Sequence, residues 1–424
     1  MSSSGGELGR DYDVVVIGGG PAGTTVATLL GGRGHRVLLL ERETLPRFHV
    51  GESLVPATWG TLDRLGLIPW LRQSAYPKKY SVQFVTEDGR ETTPFYFDEF
   101  QPGESSQTWQ VWRDEFDAKL VANAAEHGAV VRTGMTVTEV LFEDERATGV
   151  RVQESDSETR EISARIVVDA TGMSAFLASR LKLKQSDRRL KKATVWGYFR
   201  GGMRGEGRDE GATVILQTEG KRSWFWYIPL PDDMVSVGCT GGLRTMFPPG
   251  GGADAEAVFE RELARCPGMQ RRLVGATREG PLRTTRDFSY RADRAAGDGW
   301  VIVGDALSFI DPVYSTGVFL ALKSGELAAD AIDEALAADD TGAERLGSWR
   351  SGYDRGVMLF HKLVYAFYTP GFSFGTFLRT HPECRDHLSN ILMGNVFEPG
   401  LEELFDVMGE VIPPPDVADE VPAG

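Results

Sequence analysis

Cysteine is scarce in this chain of 424 residues: Cys239, Cys266 and Cys384 stand far apart. An odd, sparse set excludes a disulfide framework and fits a reducing, cytoplasmic compartment. His381, Cys384 and His387 lie three apart, yet no fourth ligand accompanies them. They read as helix-surface residues, and no metal site is expected. Long apolar runs are missing, so no membrane span is expected. Basic residues are outnumbered, 46 Lys and Arg against 61 Asp and Glu, for a net charge of −15. That excludes the basic stripe a nucleic-acid surface needs and disfavours an anionic membrane; solubility accounts for the charge. Met1 to Arg10 is polar and rich in glycine and serine, which reads as a short flexible lead and not a signal peptide. Internal repeats and a second G-x-G-x-x-G are also missing.

What is present centres on Tyr12 to Glu41, YDVVVIGGGPAGTTVATLLGGRGHRVLLLE. Val14 to Ile17 is a short apolar run of the kind that forms a buried parallel strand. Gly18, Gly20 and Gly23 follow in G-x-G-x-x-G spacing, with Pro21 and Ala22 between them, and Thr24 to Leu30 continues as a helix. Val37 to Leu40 is a second buried strand ending in Glu41 and Arg42. Gly18 permits the tight turn, Gly20 lets a pyrophosphate approach the backbone, and Gly23 lets helix and strand pack closely. The helix N-terminus offers unpaired N–H groups to phosphates. Glu41, 23 residues after Gly18, is placed to accept hydrogen bonds from a ribose hydroxyl. Strand, glycines, helix, strand and acid together mark a dinucleotide site.

Further along, Pro46, Gly51 and Pro56 break the chain into a loop before a helix over about 58–65. A strand is expected over 78–86, with Val82 and Phe84 on one face, paired with 92–97. A helix follows over 112–127, then a β-meander over 130–142 and 147–154. The strand over 161–169 returns to the parallel sheet and ends in Ala170-Thr171-Gly172. From Ala193 to Gly241, short β-rich runs suggest an antiparallel sheet, followed by a helix over 255–266. Trp300 to Asp305 is another buried strand. A long helix is expected from about Ser315 to Ala337, its N-terminus pointing back at Gly304-Asp305. Residues 346–377 read as helical and aromatic-rich, and Pro413 to Gly424 as a disordered acidic tail.

One nucleotide site assembled from three separated segments and interrupted by a β-rich unit suits FAD. The chain resembles the FAD-binding fold of the aromatic hydroxylase and flavin-dependent halogenase families. The resemblance implies that Arg113 and Asp305 touch FAD, Asp305 near the pyrophosphate and ribityl chain, and that Gly51-Glu52-Ser53 lies beside the isoalloxazine ring.

Three stretches resemble the halogenases more than the hydroxylases. Trp224 to Pro229 (WFWYIP) matches the halogenase signature W-x-W-x-I-P in full. In a strand Trp224, Trp226 and Ile228 share a face, and two indoles make a rigid, water-poor wall. The family uses this wall to keep substrate away from a flavin hydroperoxide. Lys79, five residues ahead of Phe84, has the spacing of the family lysine, and Lys78 does not. The resemblance implies that Lys79 holds hypohalous acid beside the substrate as a donor, or forms a haloamine once burial lowers its pKa. Asp311 to Gly317 (DPVYSTG) is similar to the family's D-P-x-x-S-[ST]-G turn, which opens a helix beside the flavin. This implies that Pro312 and Gly317 contact FAD and that Thr316 and Gly317 offer backbone N–H groups to a halide. Tyr314 replaces the glutamate of the tryptophan halogenases, which places the chain nearer the phenol and pyrrole branch and leaves the general base open. The Asp-Gly pair and arginine that hydroxylases carry in their middle motif are missing after Ala170.

The expected fold is therefore α/β: a Rossmann-like FAD-binding fold of the aromatic hydroxylase type with an inserted antiparallel β substrate domain and a C-terminal helical part. Residues 1–75, 105–185 and 280–340 form the discontinuous FAD domain, 76–104 and 186–279 the substrate domain, and 341–424 the helical region with its tail. The expected activity is chlorination or bromination of an electron-rich phenol or pyrrole ring in secondary metabolism, such as antibiotic biosynthesis. Reduced FAD comes from a transient flavin reductase, and the ring is a free small molecule or is tethered to a carrier protein. A single-component FAD hydroxylase using NAD(P)H is the alternative, and a flavoprotein scaffold without turnover a more distant one. The aromatics between Phe360 and Phe377 suit a substrate cover or an ordinary helical core equally.

Overall fold

In the computed structural model, which describes residues 11–154, 159–249, 254–286 and 288–409, the strand Asp11–Ile17 lies in the middle of the largest sheet. Val14, Val15 and Val16 are fully buried, as a strand covered on both faces requires. It pairs in parallel with Val37–Glu41 on one side and Arg160–Asp169 on the other. Val130–Thr133 and Trp300–Ile302 extend the parallel set outward. All three expected segments thus bring their C-terminal ends to one edge, the edge where open α/β sheets bind ligands. The hairpin Met135–Glu143 and Arg146–Glu154 continues antiparallel onto Arg160–Asp169.

The second sheet has seven strands, in the order Thr277–Arg286, Lys192–Arg200, Met234–Gly242, Ser223–Pro229, Thr213–Gln217, Ser81–Val85 and Phe95–Tyr96. The strands between Ala193 and Gly241 pair antiparallel as expected, while Thr213–Gln217 also pairs in parallel with Ser81–Val85. The sequence reading also did not include the strand Thr277–Arg286, whose residues are nearly all exposed and carry no alternating apolar face. The expected alternation of the signature strand is present. Trp224, Trp226 and Ile228 join the main core, while Phe225 and Tyr227 pack with Phe259 in a smaller core on the other face.

The helix Pro21–Gly32 packs beside Gly317–Ala337, which begins two residues later than expected. Gly304 N–H donates to Ser324 Oγ at 2.8 Å, pinning that helix to the Gly304-Asp305 turn. The expected helical stretch over 346–377 is broken: Arg350–Tyr368 ends before Pro370 and Gly371, and Phe374–Thr380 starts anew. Proline lacks the N–H that would continue the helix, and Gly371 takes positive φ. Cys384 is buried against the core, not on a helix surface as expected. Among the described residues no helix is long and apolar enough to cross a membrane. The tail 413–424 and the lead 1–10 lie outside the described residues.

Candidate active site

A cavity of about 450 Å³ runs along the edge of the parallel sheet and under the second sheet, within the usual range of about 300–1,000 Å³ for cofactor sites. The three fingerprint glycines line or support it in different ways. A Cβ on Gly18, which has φ +110°, would overlap the Ala170 carbonyl, and one on Gly23 would overlap the Gly18 carbonyl. Those two glycines serve the fold. At Gly20 the nearest atom to an added Cβ is Arg47 Nη2 at 3.7 Å, so this glycine keeps space open inside the cavity. Glu41 also lines the cavity. Its Oε2 accepts from Gly19 N–H at 2.7 Å and its Oε1 from Glu43 N–H at 2.9 Å, so the carboxylate holds the loop and faces the cavity at once.

Two guanidinium groups also line the cavity. Arg113 is buried and grips Asp117 through Nε and Nη2 at 2.9 and 3.1 Å, while its Nη1 donates to Val50 O at 2.7 Å. Arg47 reaches Asp117 at 3.4 Å and Glu41 at 3.7 Å. Asp305 lines the cavity and no donor reaches its carboxylate among the described residues; burial pushes it up to about 7 against the pull of Arg113. Glu52 accepts from Tyr198 Oη at 2.6 Å and from Gly51 N–H at 3.1 Å, and burial raises its carboxyl above the ordinary range.

At the far end lies the turn Asp311 to Gly317. Asp311 Oδ1 accepts from Val313 N–H at 3.0 Å, and Ser315 adopts φ 57°. The following N–H groups of Thr316 and Gly317 find no backbone acceptor among the described residues. An added Cβ on Gly317 would come no nearer than 3.7 Å to Phe309, which leaves a small space before a helix N-terminus.

Lys79 is not in this cavity. It is 1% exposed and borders a second, smaller chamber of about 20 Å³ with Val82, Phe84, Phe95, Tyr314 and Leu392. That is room for about one water-sized molecule. Thr213, Ile215 and Ser315 line both chambers and form the wall between them. Lys79 Nζ donates to Ser53 Oγ at 2.8 Å and to Leu54 O at 2.9 Å. Burial alone brings its amine down to about 7. Lys78 is exposed, so the Lys-Lys pair divides between solvent and interior.

Of the residues singled out from the sequence, Gly18, Gly20, Pro21, Ala22, Glu41, Arg42, Gly51, Glu52, Ser53, Arg113, Thr171, Gly172, Asp305, Pro312, Gly317 and Trp226 line the large cavity. Gly23, Thr316 and Trp224 do not. Gly23 lies within the helix Pro21–Gly32 and faces the Gly18 carbonyl, and Thr316 is 3% exposed behind the turn. Trp224 backs Trp226, with ring centroids 6.1 Å apart, and touches Phe367. The sequence reading missed Arg47, Trp196, Thr213 and Ile215, which also line the cavity. Arg47 follows a proline in an irregular loop, and Thr213 and Ile215 look like any strand residues, so no local pattern marks them.

This geometry defines an FAD-dependent protein, and a family model described as an FAD binding domain matches residues 11–219. The chain is 30% identical over 393 residues to a 1H-pyrrole-2-carbonyl-(peptidyl-carrier protein) brominase of Pseudoalteromonas luteoviolacea, covering 92% of this chain and 93% of that protein. The solved flavin-dependent brominase Bmp2 superposes with a TM-score of 0.84 at 27% identity, over 95% of this chain and 98% of that one. The myxobacterial chondrochloren halogenase CndH gives a TM-score of 0.79 at 32% identity, over 95% and 97%. The chain belongs to the flavin-dependent halogenases. Membership decides for the halogenase over the single-component hydroxylase, and it supports the phenol and pyrrole branch.

Proposed function

We propose that this enzyme makes hypohalous acid in the large cavity and uses it at Lys79 to install chlorine or bromine on an electron-rich pyrrole or phenol ring. The observation that carries this reading is the buried Lys79 amine in its own chamber, sharing a wall with the cavity. FAD, when bound in reduced form, supplies with dioxygen the two-electron oxidation of halide. Gly20 and the helix start at Pro21 would leave space for the pyrophosphate, Arg47 would face it, and Glu41 would take the ribose. Thr171, Gly172, Asp305 and Arg113 would hold the middle of the cofactor, and Gly51-Glu52-Ser53 and Pro312 its ring. The N–H groups of Thr316 and Gly317 hold the halide. Trp226, backed by Trp224, and Ile228 keep the aromatic substrate out of the cavity, which excludes direct hydroxylation. Lys79 donates to the hypohalous oxygen and fixes its direction toward the ring, so that the halogen–oxygen bond breaks as the carbon–halogen bond forms, the oxygen leaves as water with the lysine proton, and the displaced ring proton restores the ammonium.

The chamber beside Lys79 is smaller than an aromatic ring, so Phe84, Phe95, Tyr314 and Leu392 must give way as substrate arrives. Segments 11–75, 105–154, 159–185 and 288–340 act as the FAD unit, 76–104 and 186–249 as the wall that separates oxidation from substitution, together with 254–286, whose strand Thr277–Arg286 pairs with Lys192–Arg200 and so moves the expected boundary at 280, and 341–409 as the cover. A carrier-tethered pyrrole is the first substrate to test, because a relative aligned over nearly its whole length acts on one. A separate flavin reductase supplies the reduced cofactor. Mixing the FAD-bound protein with NADPH and then NADH, without oxygen and with a pyrrole and phenol panel present, tests this. Bleaching of the flavin only after a reductase is added supports the two-component reading; fast bleaching by NADPH alone overturns it.

A further inference from the structure

We propose that Ser53 is the positioning residue for Lys79, and that the Ser53–Thr213 hydroxyl pair is the polar bridge by which hypohalous acid passes from the cavity to the lysine. The inference rests on the Lys79 reading above. Ser53 lines the large cavity, yet its Oγ accepts from Lys79 Nζ at 2.8 Å. It also shares a hydrogen bond of 2.8 Å with Thr213 Oγ1, 160 residues away, and Thr213 lines both chambers. Two of the three side chains on the dividing wall, Thr213 and Ser315, therefore carry hydroxyls, and Ile215 is the apolar third.

Proton counting gives the pair a direction. Gln110 contacts the Gly211 carbonyl at 2.8 Å, and a carbonyl only accepts, so the amide nitrogen faces it. The same nitrogen donates to Thr213 Oγ1 at 2.9 Å. Thr213 therefore accepts from Gln110 while Ser53 accepts from Lys79. The bond between the two hydroxyls uses one O–H hydrogen and leaves the other free. Whichever residue keeps it, that residue lines the large cavity. As the ammonium, Lys79 keeps a third N–H beyond the two given to Ser53 and Leu54. A free O–H on the cavity side and a free N–H on the chamber side suit a small neutral guest with an accepting oxygen, and hypohalous acid is one. Ser53 also holds Lys79 by a hydrogen bond from a charged donor, the stronger kind.

The test uses the full chain with FAD reduced photochemically, dioxygen, bromide, a ring substrate from the panel and a soluble 1,3-diketone that traps escaped hypobromous acid. With FAD at saturating concentration, Ser53→Ala is expected to keep oxidant formation and the KM for bromide. Its ring bromination falls by about tenfold or more, the scale of a lost hydrogen bond to a charged group, and trapped bromine rises in step. Ser53→Thr restores ring bromination, and Thr213→Val reproduces part of the loss. Ring bromination in Ser53→Ala within about twofold of wild type, with Lys79→Ala inactive, overturns the role of Ser53 and leaves that of Lys79 standing. Ring bromination by Lys79→Ala overturns both. Equal loss of FAD binding, ring product and trapped bromine in Ser53→Ala, unrescued by threonine, makes Ser53 a cofactor support and overturns the bridge.

Discussion

The Trp224 indole N–H donates to the Tyr368 hydroxyl at 2.8 Å, and that hydroxyl donates onward to Asp311 Oδ2 at 3.1 Å. One tyrosine, at the end of the helix Arg350–Tyr368, thereby joins the tryptophan signature strand to the turn before Gly317. Burial pushes Asp311 up to about 6, while nearby Lys192, its Nζ 3.4 Å from the Tyr368 ring centroid, pulls it down. Tyr368→Phe strands a buried indole N–H and removes one donor from Asp311. It is expected to lower stability by about 1–3 kcal/mol, read from the midpoint of a denaturant titration with FAD bound.

Gly20 separates cofactor binding from folding. Its φ is negative and an added Cβ meets nothing closer than 3.7 Å, so valine fits the fold while filling the cavity. Gly20→Val is expected to keep the wild-type far-ultraviolet dichroism and to lose FAD on gel filtration. Gly23→Val, with the Gly18 carbonyl in its way, is expected to misfold.

Much of this was legible in the sequence because it is local. The Trp224–Pro229 alternation lies within one strand, and the three glycines and the Lys79–Phe84 spacing each lie within six residues of chain, although Lys79 and Phe84 fall in two strands of different sheets. The relations that make the site work cross elements. Ser53 meets Thr213, and Trp224 meets Tyr368 across 144 residues, through side chains whose types carry no signal alone. The parallel pairing of Ser81–Val85 with Thr213–Gln217 sets the dividing wall, and strand propensity is blind to partner choice.

Gly317→Ala tests the halide position. The methyl group enters the space ahead of the helix N-terminus without a backbone clash. The KM for bromide is expected to rise about tenfold, a change of about 1.4 kcal/mol, with FAD affinity unchanged, measured by steady-state bromination against halide concentration.

Lys79 sets a pH dependence. Its amine is held at about 7, below the free value of 10.5, by burial. With the ammonium as donor, ring halogenation is present below about 7 and is lost as pH rises through that value, while trapped hypohalous acid persists. For stability, the unfolded chain binds this proton up to the free value and the folded chain does not, so stability rises with pH across that window. Lys79→Met is expected to remove this slope, and denaturant midpoints at neutral and alkaline pH compare the two.

The division of labour between the two chambers is tested most directly by mass spectrometry of Lys79→Ala. The variant is supplied with reduced FAD, dioxygen, bromide, a carrier-tethered pyrrole and the diketone trap, beside wild type. The account requires the bromine isotope doublet on the pyrrole for wild type. For the variant it requires the doublet on the trap and none on the pyrrole. Bromopyrrole from the variant at the wild-type rate, or a hydroxylated ring from wild type without halide, would contradict it.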